Sequence, residues 1–171
     1  MEGRTEIIEF DENREKRFRE TLAKYPTAQA ALLPALWIAI EQFGALSDEV
    51  LEYVAGRLDL SPVHVFAVAE FYTMFNRERR GRYHIQLCRN LSCTLLGAED
   101  VLSLLEEKLG IGPGGKTPDG LFSLELVECL GSCGTAPVMR INDTYYENLD
   151  RDRVSEIIEA CRNGGPPEGG E

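Results

Sequence analysis

Apolar residues recur at helical spacing from residue 11 to residue 72. Phe18, Leu22 and Tyr25 make a partial stripe, and Leu32, Leu33, Leu36, Trp37, Ile40 and Phe43 make a fuller one. Gly44 closes that element. Ser47 is placed to cap the next helix, with Asp48 and Glu49 in its first turn, where negative charge suits the helix dipole. Val50, Leu51, Val54 and Leu58 then line one face. Ser61-Pro62 opens a further helix as an N-cap and N1 pair, running through Val63, Phe66 and Val68. The pattern predicts a helical bundle over residues 1–75, with exposed aromatics around Phe71 to Phe75.

"NRERRGR" at 76–82 is polar and basic and reads as a solvated linker. Beyond it the period changes. Residues 83–87 predict a strand running into Cys88. Val101, Leu102, Leu105 and Leu109 predict an amphipathic helix closed by Gly110. Phe122, Leu124 and Leu126 alternate on one face of a second strand that ends at Cys129. Segments 137–141 and 144–147 form a hairpin across Asn142-Asp143. Val154, Ile157, Ile158 and Cys161 line a final helix. The order is β-α-β followed by β-β-α, the order of a thioredoxin-like domain, here over residues 83–163. A right-handed crossover in the first unit places Cys88 and Cys129 at the same end of the sheet. The fold class is α+β. The tail, 164–171, lacks apolar residues and is expected to be disordered.

Composition narrows the function. With 43% hydrophobic residues, the 171-residue chain can bury a core without disulfides, and five cysteines do not make an even disulfide framework. No apolar h-region follows Met1, so no secretory signal is expected. The nearly apolar run 30–40 contains Pro34 and is too short to span a bilayer, so direct membrane insertion is not expected. These features fit a reducing cytoplasm. The formal net charge is -11, most of it in the second half, which disfavours a phosphate backbone as partner. Helices joined by short turns also raise a helix-turn-helix reading. "SPVHVFAVAEFYTMF" contains no Lys or Arg, so it lacks a basic recognition helix and nucleic acid is not expected.

Chemistry concentrates in two cysteine pairs. Cys88 and Cys93 stand as C-x4-C in "CRNLSC", and Cys129 and Cys133 as C-x3-C in "CLGSC". Four thiolates gathered by a fold suit a [2Fe–2S] cluster. A structural zinc site is the main competitor, but zinc ribbons favour tighter C-x2-C knuckles. A redox dithiol favours C-x-x-C at a helix N-terminus, also absent. The small residues Ser92, Gly131, Ser132, Gly134 and Thr135 allow backbone N–H groups to approach cluster sulfurs, although they are also ordinary turn residues. Cys161 falls on a helical apolar stripe and reads as a buried structural thiol. His84 could face the side of Cys88, but a Rieske-type site needs two histidines and His64 lies in the helical half. "GIGPGGKT", residues 110–117, matches the letters of a P-loop. A helix precedes it and a turn follows, the reverse of the strand-then-helix setting that phosphate binding needs.

The stretches "FYTMF", "GRYHIQLCRNLSC" and "GAEDVLSLLEEKLGIGPGGKTPDGLFSLELVECLGSCGTAPVMRIND" resemble the 24 kDa [2Fe–2S] subunit family of respiratory complex I, the NADH-quinone oxidoreductase. Related subunits serve NAD-linked hydrogenases and formate dehydrogenases. The resemblance implies an N-terminal helical bundle followed by a thioredoxin-like [2Fe–2S] ferredoxin domain. It implies cluster ligation by Cys88, Cys93, Cys129 and Cys133, with no catalytic residue of the chain's own. It also implies a flavoprotein partner that carries FMN, a [4Fe–4S] cluster and the NADH site, together with other subunits of the complex I peripheral arm. The expected role is single-electron exchange with that FMN inside an NADH dehydrogenase, cytoplasmic and peripheral to the inner membrane through the complex. The same subunit in a hydrogenase or formate dehydrogenase, and a zinc-stabilised scaffold, are the alternatives.

Overall fold

The computed structural model describes residues 8–165, so most of the tail expected to be disordered lies outside the described residues. The chain divides into two compact units after Arg79, a point inside the basic 76–82 segment.

Among the described residues the first unit contains four helices: α1 (Glu12–Leu22), α2 (Leu32–Phe43), α3 (Asp48–Leu58) and α4 (Pro62–Phe71). Local chemistry sets their ends. Asp11 accepts from the Arg14 N–H ahead of α1, and Ser47 accepts from the Val50 N–H ahead of α3, each satisfying an amide that has no partner within its helix. Ser61 occupies the N-cap of α4 but its hydroxyl makes no capping bond; extended backbone at Ser61 and the fixed φ of Pro62 start that helix instead. Gly44 takes φ 79° to end α2. Phe18, Leu36, Leu51, Val54 and Val65 are the centre of the core. The apolar stripe of α2 is narrower than the sequence implies: Trp37 remains 42% exposed. In the basic segment Arg77 is engaged, pairing with Asp48 and Glu70 and donating to the Leu46 carbonyl.

The second unit is a four-stranded sheet backed by helices. Its elements are β1 (Tyr83–Cys88), α5 (Leu91–Leu95), α6 (Ala98–Leu109), β2 (Phe122–Val127), β3 (Met139–Ile141), β4 (Thr144–Tyr146) and α7 (Arg151–Arg162), with strand order β2-β1-β3-β4. β1 and β2 are parallel, with Cys88 opposite Val127; β3 runs antiparallel to β1, and β4 antiparallel to β3. Alternate strand residues Tyr83, Ile85, Leu87, Phe122 and Leu124 form one core with Val101, Leu105, Val154, Ile157 and Ile158. The hairpin strands are shorter than expected. Asn142 adopts φ 53° at their turn, and its side-chain oxygen accepts the His84 N–H. Gly81 is fixed by space: a Cβ there would collide with the backbone of Phe122 and Ser123.

The P-loop-like string does structural work. Gly114 and Thr117 donate their N–H groups to the carbonyls of Leu124 and Phe122, and Leu124 donates back to Gly115. This loop covers the outer edge of β2, and those amides are spent on the strand rather than held open for phosphate.

Candidate metal centre

Parallel pairing of β1 and β2 brings both cysteine segments to one end of the sheet. Cys88 is the last residue of β1 and is buried; its thiol donates to the Glu128 carbonyl at 3.4 Å. The ladder continues one step further, with the Arg89 N–H on the Val127 carbonyl at 2.9 Å. Asn90 then caps α5, its side-chain oxygen accepting the Leu91 N–H, and this short helix carries Cys93 back into the interior. Cys88, Cys93, Ala98 and Val138 make a small apolar cluster with Leu130 and Ala136 against it.

Cys129 follows the end of β2 by two residues and is exposed. Its sulfur accepts the Gly131 N–H at 3.4 Å, made possible by the left-handed Gly131 at φ 80°. Cys133 opens a single 3-10 turn, Cys133–Thr135, and is also exposed. The four thiols therefore comprise two set into the core and two on a surface loop. Burial pushes the Cys93 thiol up to about 11, reinforced by its hydrogen bond with Cys88 and by the proximity of Cys88 and Cys133.

All five cysteines are free thiols. Among the described residues, no group of three or more His, Cys, Asp or Glu side chains converges at the distance of a single metal ion. The donor set at the strand ends consists of thiols only, with a backbone N–H already directed at one sulfur, and it fits a thiolate-bound iron–sulfur group.

The other candidates go elsewhere. Cys161 is 1% exposed on the inner face of α7, within the sheet core. His84 does not turn to the cysteines. Its Nδ1 meets Ser123 Oγ at 2.8 Å and its Nε2 meets Glu125 Oε2 at 2.9 Å, and burial with the Arg80 charge nearby holds its pKa down. Sequence reasoning missed Glu147, which accepts hydrogen bonds from Ser132 and Thr135 on either side of Cys133. The contact spans from the cysteine loop to the end of β4, and no local pattern announces it.

The family model described as thioredoxin-like [2Fe-2S] ferredoxin matches residues 18–162. The chain belongs to that family. Its cofactor is therefore a [2Fe–2S] cluster. Among the relatives of this ferredoxin, an E-type NADH-quinone oxidoreductase subunit of Rhizobium meliloti is 49% identical, over 82% of this chain and 83% of its own. NADH-quinone oxidoreductase subunit 2 of Thermus thermophilus is 42% identical, over 91% of this chain and 87% of its own. In structure, the chain is similar to an NAD+-reducing [NiFe]-hydrogenase in the H2-reduced state, with TM-score 0.70 and 27% identity. That likeness covers 79% of this chain and 22% of the hydrogenase chain.

Proposed function

We propose that this ferredoxin is the electron-transfer subunit of an NADH-quinone oxidoreductase, holding its cluster through Cys88, Cys93, Cys129 and Cys133. The observation that carries the ligand assignment is the meeting of both cysteine segments at one end of the parallel pair β1 and β2. A bound [2Fe–2S] group supplies reversible one-electron chemistry, suited to a flavin that hydride reduces by two electrons. The chain's residues do the rest. Cys88 and Cys93 anchor one side within the apolar cluster, which excludes water, and the exposed Cys129 and Cys133 leave the other side open toward a redox partner.

The partner in this reading is a flavoprotein with FMN, a [4Fe–4S] cluster and the NADH site, within the peripheral arm. Two apolar surfaces support a partner. α4 is largely apolar, with only His64 and Glu70 polar, yet only Val65 and Ala69 are buried, leaving Val63 77% and Phe71 78% exposed. A helix of that composition is ordinarily covered. Tyr72 and Met74 continue the exposed patch, whereas Phe75, expected at the surface, is buried against Trp37 and Tyr72. Beside the cysteines, α5 and the residue after it present Leu91, Leu95 and Leu96 to solvent. Among the described residues no helix is long and apolar enough to cross a membrane. A cytoplasmic subunit attached to the inner membrane through its complex is the localisation this reading implies.

Likeness to the hydrogenase supports a second reading, the same module in an NAD-linked hydrogenase. The identities of 49% and 42% favour the quinone-linked assembly. The test is reduction by NADH with and without the flavoprotein. NADH should leave the isolated chain oxidised and reduce it once the flavoprotein is present. Bleaching of the isolated chain by NADH at a catalytic rate overturns the proposal.

A further inference from the structure

We infer that Glu147 is a positioning residue for the cluster, acting as the anchor that fixes the outer cysteine pair. The inference rests on the reading that Cys129 and Cys133 are ligands.

The two halves of the site are built differently. Cys88 lies in a strand and Cys93 in a capped helix, and both are packed into an apolar cluster. Cys129 and Cys133 lie on a loop with neither advantage, and both are exposed. A cluster held by four thiolates would need the second pair fixed as firmly as the first, because ligand geometry is set by the groups behind the ligands. On this loop the groups behind the ligands converge on one atom. Ser132, just before Cys133, and Thr135, two residues after it, both donate their hydroxyls to Glu147 Oε1, the Thr135 bond at 2.6 Å. The two hydroxyls stand 2.9 Å apart, and the Thr135 N–H donates to the Ser132 carbonyl at 3.2 Å. Cys133 is thus the first residue of a tight turn whose two flanks are tied to one carboxylate.

The carboxylate is itself held. Glu147 follows β4 directly, and the next two residues pair with the same loop. Asn148 donates its N–H to the Thr135 carbonyl at 2.7 Å, and Leu149 donates to the Pro137 carbonyl at 3.1 Å. Leu149 is buried in the sheet core, which ties this segment to the rigid part of the domain. Hydrogen bonds to an ionised acceptor are stronger than those between neutral groups, so one carboxylate can hold two hydroxyls where a neutral side chain would hold them less well. Without it, the Ser132 and Thr135 hydroxyls retain only contacts within the turn, and backbone bonds alone tie the loop to the segment after β4. The loop then samples geometries in which Cys133 no longer meets the iron.

The experiment compares full-length wild type with Glu147→Ala, Glu147→Gln and the double variant Ser132→Ala/Thr135→Val. Circular dichroism verifies the fold, and iron and sulfide content, the reduced EPR spectrum and the rate of cluster loss to a chelator are then measured. Replacing groups behind metal ligands typically costs about 10–100-fold in metal affinity, so Glu147→Ala should lose its cluster roughly tenfold or more faster than wild type. Its EPR lines should broaden as the outer cysteines take up several geometries. Glu147→Gln keeps the length and one acceptor oxygen and should recover part of the lifetime. The double variant should match Glu147→Ala although its carboxylate is intact. A Glu147→Ala chain that is folded and holds its cluster with wild-type spectrum and lifetime overturns the inference and leaves the cysteine assignment standing. A wild-type chain that takes up no cluster overturns both.

Discussion

Cys161→Ser separates the structural cysteine from the four assigned to the cluster. Cys161 is 1% exposed and lies on the inner face of α7 among Val154, Ile157, Ile158 and the strands below. Serine replaces an apolar sulfur with a hydroxyl at a site built for sulfur. A buried hydroxyl without a good partner costs about 1–3 kcal/mol. Part is recovered if the serine donates to the carbonyl one turn earlier, at Ile157, leaving a net loss of about 1–2 kcal/mol. For a unit of this size each kcal/mol lowers Tm by about 4–8 °C. Cys161→Ala removes the sulfur without adding a hydroxyl, at about 1 kcal/mol from lost burial. The assay is thermal unfolding together with iron content and the reduced EPR spectrum. Both variants should be destabilised while keeping iron, sulfide and line shape at wild-type values. A second signature comes from pH. Burial pushes the Cys161 thiol up to about 11 from its ordinary 9.0. The unfolded chain therefore ionises this group where the folded chain does not. Stability of the cluster-free protein should fall as pH rises from about 9 toward about 11, and the fall should be shallower in both variants. Loss of iron in either variant with the fold intact refutes the assignment of Cys161 to the core.

Three further outcomes follow from the same geometry. Cys88→Ser or Cys129→Ser should lose or strongly perturb the cluster, read as loss of colour and a changed EPR spectrum; wild-type spectra in either would remove that residue from the ligand set. Phe71→Glu combined with Val63→Glu, both on the exposed side of α4, should weaken binding to the flavoprotein without altering the cluster spectrum, measured by co-purification and absorption; unchanged binding would assign the interface to another face. His84 is held below its ordinary 6.5 mainly by burial, with Arg80 and Arg140 acting in the same direction and Glu125 against it. The unfolded chain then takes up a proton that the folded chain resists, so stability should drop as pH falls below about 6.5, and His84→Asn should flatten that slope in urea unfolding at about pH 7.5 and 5.5.

The elements that bury a regular face were legible in the sequence. Val50, Leu51, Val54 and Leu58 announce α3, and Phe122, Leu124 and Leu126 announce β2, because burial on one side imposes a period on the residues. α5 was not legible: the leucines at 91, 95 and 96 face solvent, so no apolar face marks it, and Asn90 as a cap was the one local signal. Trp37 and Val63 misled in the opposite sense, since residues kept apolar at the surface carry the same pattern as core residues. The cysteine spacing pointed to the site through the resemblance and the strand order, but not to how its halves differ. That difference depends on long-range bonds, Cys88 to Glu128 and Ser132 and Thr135 to Glu147, which no periodicity encodes. His84 alternates onto the face of Cys88, as the strand pattern implied, but its ring is held by Ser123 and Glu125, partners that only the register of β1 on β2 supplies.

The most direct test of the account is metal and sulfide analysis of anaerobically purified protein, followed by EPR after dithionite reduction. The account predicts two irons and two sulfides per chain, visible colour and an S = 1/2 signal that disappears on reoxidation. A colourless protein that carries stoichiometric zinc and gives no signal on reduction would contradict it.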